Sequence, residues 1–133
     1  MSDLSVVTDN ALAALVAVLP ATTAVGDGKP PTPESYPHVI LYSGISTTEA
    51  APSLSAGAGV LATTLQATCV GRTRKSREIT AAAVMVALLD PATDLGSAEV
   101  RVSNRRLAGS TVDDDPDNHL FIEHLRISLW AAP

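Results

Sequence analysis
Apolar residues recur near the start of the chain at Leu4, Val7, Ala11, Leu12, Leu15, Val16 and Leu19. Spacings of three and four place them on one side of a helix over residues 4–19, about 24 Å long. Asp3 or Ser5 can cap its start, and Pro20 stops it. Gly26, Gly28, Pro30, Pro31, Pro33 and Pro37 then predict a loop over 20–37. His38 to Ile45 is β-branched, aromatic and short, which predicts a strand. Residues 46–59 are Ser, Thr, Ala, Gly and Pro for the most part and read as a flexible connection.

Val60 to Gly71 alternates. Leu61, Thr63, Leu65, Ala67 and Cys69 share one face, and Ala62, Thr64, Gln66 and Thr68 the other. A second helix is expected from a cap at Ser76 to about Leu89, with Ile79, Ala82, Ala83, Val86 and Leu89 as its buried stripe. Asp90-Pro91 ends it. Ala98 to Arg105 is a third strand with Ala98, Val100 and Val102 inward, and 108–118 is a polar, acidic turn. Leu120 to Trp130 is a fourth strand, whose face of Phe121, Leu125, Ile127 and Leu129 is interrupted by Glu123. The order α-β-β-α-β-β predicts an α+β fold in which two helices pack on one mostly antiparallel sheet of about four strands. Leu12, Leu15, Leu41, Leu65, Ile79, Val86, Leu125 and Ile127 are the expected core. The connections 26–37 and 46–59 are expected to be mobile in a free subunit.

The length of 133 residues fits a single domain spanning 1–133. Aromatic residues make up only 3%, so the core has to come from Ala, Val, Leu and Ile. Small aliphatic side chains bury less area each, which favours association as a further source of stability. The net charge of −5 argues against sequence-specific nucleic-acid binding, which needs a basic field. Cys69 is the only cysteine, so no disulfide forms within the chain, and its inward position predicts an inert, buried thiol. No basic n-region opens the sequence, and the apolar run from Ala11 to Pro20 is too short to span a bilayer, so no membrane role is expected.

Candidate chemistry is sparse. Asp113, Asp114, Asp115 and Asp117 form the densest acidic cluster, but Asn118 stands where a calcium loop needs Gly and Glu123 falls one place early. A solvated hairpin turn fits better than a metal site. Gly57-Ala58-Gly59 has a strand after it instead of a helix, which removes the phosphate-binding reading. His119 and His124, if both on one strand, face opposite sides and cannot share a metal. No nucleophile motif is present, so no catalytic residue, cofactor or metal is assigned, and the chain reads as non-enzymatic. Arg72, Arg74, Lys75 and Arg77 form a basic knot before the second helix, where cations are mildly unfavourable. This knot and the acidic turn are the candidate subunit interface. They are expected on opposite flanks, meeting between neighbours; solvation, or pairing within one chain, is the alternative.

In order and texture the chain resembles the tail terminator (minor tail) proteins of long-tailed bacteriophages. The resemblance rests on the short helix ending at Pro20 and the strand Tyr36-Pro37-His38-Val39-Ile40-Leu41-Tyr42. It continues through the Thr-rich strand Leu61–Val70 closing on Arg72, the Ala-rich helix Ile79–Leu89 and the terminal strand Phe121–Trp130. It covers nearly the whole chain, although the Pro-rich loop 26–37 and the segment 53–59 are less typical. It implies a structural virion protein: a homo-oligomeric ring, usually hexameric, that caps the tail tube protein, stops polymerisation and joins the tail to the head–tail connector protein. It also implies location in the virion tail after assembly in the host cytoplasm. A head-completion or neck connector subunit, and a small-ligand-binding or enzymatic α+β domain, remain as alternatives.

Overall fold
The computed structural model describes residues 5–43, 47–48, 61–97 and 101–132. Helix α1 spans Ser5–Val18 and helix α2 Arg74–Leu89. The strands are β1 (Ala24–Asp27), β2 (His38–Ser43), β3 (Thr47–Thr48), β4 (Leu61–Gly71), β5 (Arg101–Val112) and β6 (Phe121–Ala132). The sheet runs β1-β2-β4-β6-β5, and β3 adds a short pairing to β4. All pairings are antiparallel except β1 with β2, which is parallel.

The fold is α+β with two helices, as expected, but the sheet is mixed and larger than four strands. Strand β1 was not anticipated: it lies inside the predicted 20–37 loop. Only Val25 in it favours a strand, and the Gly and Pro residues around it hide so short a signal. Strand β5 runs on to Val112, seven residues past the expected end, through the polar stretch Ala108–Thr111. As an edge strand it needs little apolar alternation, and irregularities after Val102 and after Leu107 break its period further. The expectations for Leu4, Ile45, Gly57, Ala58, Gly59, Ala98 and Val100 lie outside the described residues.

Register shows how one face becomes the core. Val39 stands opposite Cys69, Leu41 opposite Ala67, Ala67 opposite Leu125, Leu65 opposite Ile127 and Thr63 opposite Leu129. Directly paired residues share a face, so these side chains form one continuous apolar surface. Val7, Ala11, Ala14 and Leu15 of α1 and Ala81, Val84, Ala87 and Leu88 of α2 close over it in a single cluster. No aromatic ring belongs to that cluster, as the composition requires.

The rotation of α2 departs from expectation. Its buried residues are Arg77, Thr80, Ala81, Val84, Ala87 and Leu88, whereas Ile79 is 57% and Val86 61% exposed. Ile79, Ala82 and Val86 of the predicted stripe therefore face away from the core, while Ala83 and Leu89 at its edges stay partly buried against it. Alanine on several sides of this helix makes two stripes almost equally apolar, and the choice falls to Arg77. Its guanidinium, 6% exposed, donates from Nη1 to Glu123 Oε1 at 2.8 Å and from Nη2 to Asp114 Oδ2 at 3.3 Å. Its Nε stands 3.1 Å from Asp114 Oδ1, in charge contact but not aligned for a hydrogen bond. Glu123, which interrupts the apolar face of β6, is thus the partner of this cation. Arg105 of β5 fixes the other end of α2 by donating to Leu88 O at 3.2 Å and to Thr93 O. Burial, more than its acidic neighbours Asp90 and Asp94 can offset, holds the Arg105 pKa below its ordinary value.

The start of α2 is also displaced. Thr73, not Ser76, is the N-cap, accepting from Ser76 N at 3.0 Å. Strand β4 ends two residues earlier at Gly71, where a Cβ would come within 2.9 Å of Arg77 N. Only glycine lets the strand end press that closely on the helix. On the other helix, Asn10 Nδ2 donates to Leu95 O at 3.1 Å and Gly96 O at 2.9 Å, tying the segment after α2 onto α1.

Replacing Arg77 with Ala leaves two carboxylates in a partly buried site, and is expected to cost about 3 kcal/mol in urea unfolding. The double variant Arg77→Met with Glu123→Gln should recover part of that loss.

Cys69 is fully buried. Burial first, and the charge of Glu123 across the register second, push its pKa up to about 12. An acid whose folded pKa is raised supports the fold below its unfolded pKa and ceases to do so as pH rises. Stability is therefore expected to fall between about pH 9 and 12, and less so in Cys69→Ala, as measured by denaturant titration. Thiol reagents at pH 8 should label Cys69 only at the rate of unfolding.

Candidate subunit interface
Three members of the basic knot, Arg74, Lys75 and Arg77, do not precede α2 but form its first turn. Arg74 and Lys75 point to solvent, Arg77 is buried, and Arg72 lies exposed in the turn before the helix. The acidic turn joins β5 to β6. Asp113 and Asp117 are exposed and Asp114 and Asp115 half-buried. Its backbone closes through Asp115 N to Leu120 O at 2.6 Å and Leu120 N to Asp115 O at 3.0 Å. A 3-10 turn, Pro116–Asn118, sits between them and ends on His119 in a left-handed conformation (φ 51°). His119 thus belongs to the turn and His124 to β6, so the assumption that both lie on one strand is corrected.

The two charged groups are neighbours within one chain. Arg77 pairs with Asp114, and Arg72 Nη1 donates to Asn118 O at 3.3 Å. The expectation of opposite flanks is corrected accordingly. The sequence offered pairing within the chain as the alternative, and for Arg77 and Asp114 that alternative holds. The reason is topological: β4 is antiparallel to β6, so the end of β4 that leads into α2 meets the start of β6. Arg72 also lies 4.1 Å over the Tyr36 ring, which packs 4.9 Å from His38. Arg74, Lys75, Asp113 and Asp117 remain available at the surface.

A second feature escaped the sequence reading. Lys75, Ile79, Ala82 and Val86 recur at four- and three-residue steps along the side of α2 opposite its buried stripe, and all four are exposed. On α1, Ala13, Val16 and Ala17 are exposed as well, Val16 to 68%. Beside the amino-terminal end of α2 an open cavity of about 410 Å³ is lined by Pro20, Thr22, Thr23, Lys75, Ile79 and Ala83, among others. The signal that could have revealed this surface is the doubled apolar stripe of α2. A helix that is apolar on two sides covers a core with one and has the other left for a partner.

The helix-free face of the sheet is mixed. His38, Ile40, Thr68 and Val70 are buried there, and Thr68 Oγ1 lies 2.9 Å from His124 Nδ1. Among the described residues no three His, Cys, Asp or Glu side chains are grouped to hold a metal ion, and no helix is long and apolar enough to cross a membrane.

Exposure on α2 has a direct consequence for stability. Ile79→Ser and Val86→Ser should each change the unfolding free energy of the dissociated subunit by only about 0.5 kcal/mol. Leu88→Ala, on the buried stripe, should cost about 2–5 kcal/mol in the same assay.

No protein-family model matches the chain, and no curated protein sequence matches it. Among solved structures, the chain is similar in fold to a chain of the virion of a native gene transfer agent particle. The TM-score is 0.67 at 18% identity, over 98% of this chain and 94% of the other.

Proposed function
We propose that this protein is a structural virion subunit that forms a ring at the head-proximal end of a phage-type tail tube, stops tube growth and joins the tail to the head connector. The observation that carries the reading is the likeness over nearly the full length of both chains to a component of a gene transfer agent virion. The apolar outward side of the helix layer supports the same reading, because exposed apolar surface marks a contact with another protein. The order of elements resembles that of tail terminator proteins and makes the ring the specific form of the proposal.

In this reading the exposed members of the two charged groups, Arg72, Arg74 and Lys75 with Asp113 and Asp117, lie toward one end of the subunit and face its neighbours. Arg77 and Asp114 are already engaged inside the subunit. The ring is hexameric in the proposal, with the tube protein and connector protein as its axial partners.

Negative-stain microscopy of the purified protein, alone and mixed with tail tubes, tests this. Annular particles of one diameter, and tubes capped at a single end, are the expected result. A monomer that caps no tube would overturn it.

A further inference from the structure
The outward row of α2 begins with a cation, Lys75, and continues through Ile79, Ala82 and Val86. The edge strand β5 carries a complementary arrangement. Leu107 and Val112 pair with Ile127 and Glu123, so they lie on the helix side of the sheet, yet they are 38% and 53% exposed. Exposed Asp113 follows Val112 directly, and no described strand flanks β5 on its outer side. One surface is apolar with a positive head; the other is apolar with a negative end.

These two surfaces cannot meet within one chain. Val112 lies in the sheet, and the Lys75–Val86 row lies on the far side of α2, about 10 Å of helix away. The geometry points to a second copy of this chain as the occupant of the α2 row, seated through the Leu107, Val112 and Asp113 ledge of its β5. The charge order sets the direction of docking, with Asp113 of one copy beside Lys75 of the next. Two different surfaces make the contact heterologous, so it closes into a ring or continues as a filament. The inference rests on the reading of the chain as an assembly subunit and names the two faces that subunit uses.

Single-cysteine chains in a Cys69→Ala background provide the test. Ile79→Cys and Val112→Cys are made separately, and unchanged circular dichroism verifies their fold. With a short bismaleimide, the mixture should give a cross-linked dimer, while either chain alone should give little. In parallel, sedimentation velocity should show Lys75→Glu and Asp113→Lys each weakening association by up to about fivefold at low salt. The two changes in one chain should restore it. Strong self-cross-linking of Ile79→Cys would mean a two-fold contact and overturn the proposal. Rings seen by microscopy without the 79–112 cross-link would overturn it while leaving the ring reading intact. A chain that stays monomeric at every concentration, and fails to cap tubes, would remove both.

Discussion

A guanidinium buried at the first turn of a helix has to be met by negative charge, and in this chain Asp114 and Glu123 meet it. Much of the architecture follows. The pair joins α2 to the β5–β6 hairpin at one end, and the bonds from Arg105 join them at the other. A helix held at both ends cannot roll. Its rotation decides which of two apolar stripes enters the core and which faces outward. The same contact also offsets the unfavourable placement of a cation at a helix amino terminus. Because the attraction acts in a partly desolvated site, it is screened far less by salt than the exposed charges around it.

The sequence made the framework legible where period and punctuation agreed. The first helix, stopped by Pro20, and the strands β2, β4 and β6 fall close to their expected positions, since each has a clear apolar rhythm and a clean end. It was ambiguous where several patterns fitted equally well. In α2, Ala82, Ala83, Val86 and Leu89 compete with Ala81, Val84, Ala87 and Leu88, and periodicity alone cannot choose between faces of equal hydropathy. The deciding residue, Arg77, looked like a member of a solvated knot. Its role depends on Glu123, which is 46 positions away and adjacent only through strand register. Glu123 was noticed as an interruption of an apolar face, but an interruption gains meaning only once the facing helix is placed.

The candidate interface was legible in composition more than in position. A chain poor in aromatics and rich in small apolar residues suggests a surface completed by association. The charged residues named from the sequence are real surface features, apart from Arg77 and the half-buried Asp114 and Asp115, yet antiparallel pairing of β4 and β6 brings both groups to one end of the molecule. Topology of that kind is not carried by any local pattern. The cavity at the start of α2 depends similarly on the approach of three segments, around Pro20, Pro37 and Thr73, that are distant in sequence.

The long ladder between β4 and β6 has a mechanical meaning as well. Eleven consecutive residue pairs, from Leu61 with Ala131 to Gly71 with Phe121, run without a break at the centre of the sheet. Antiparallel hydrogen bonds lie across the strand direction. Tension directed along these strands therefore loads the whole ladder in shear, and its bonds must yield together. Tension applied across them would peel the pairs one at a time. A subunit placed with β4 and β6 along the pulling direction is stiff on that axis, whereas the four-residue pairing of β1 with β2 is the weaker seam of the same sheet.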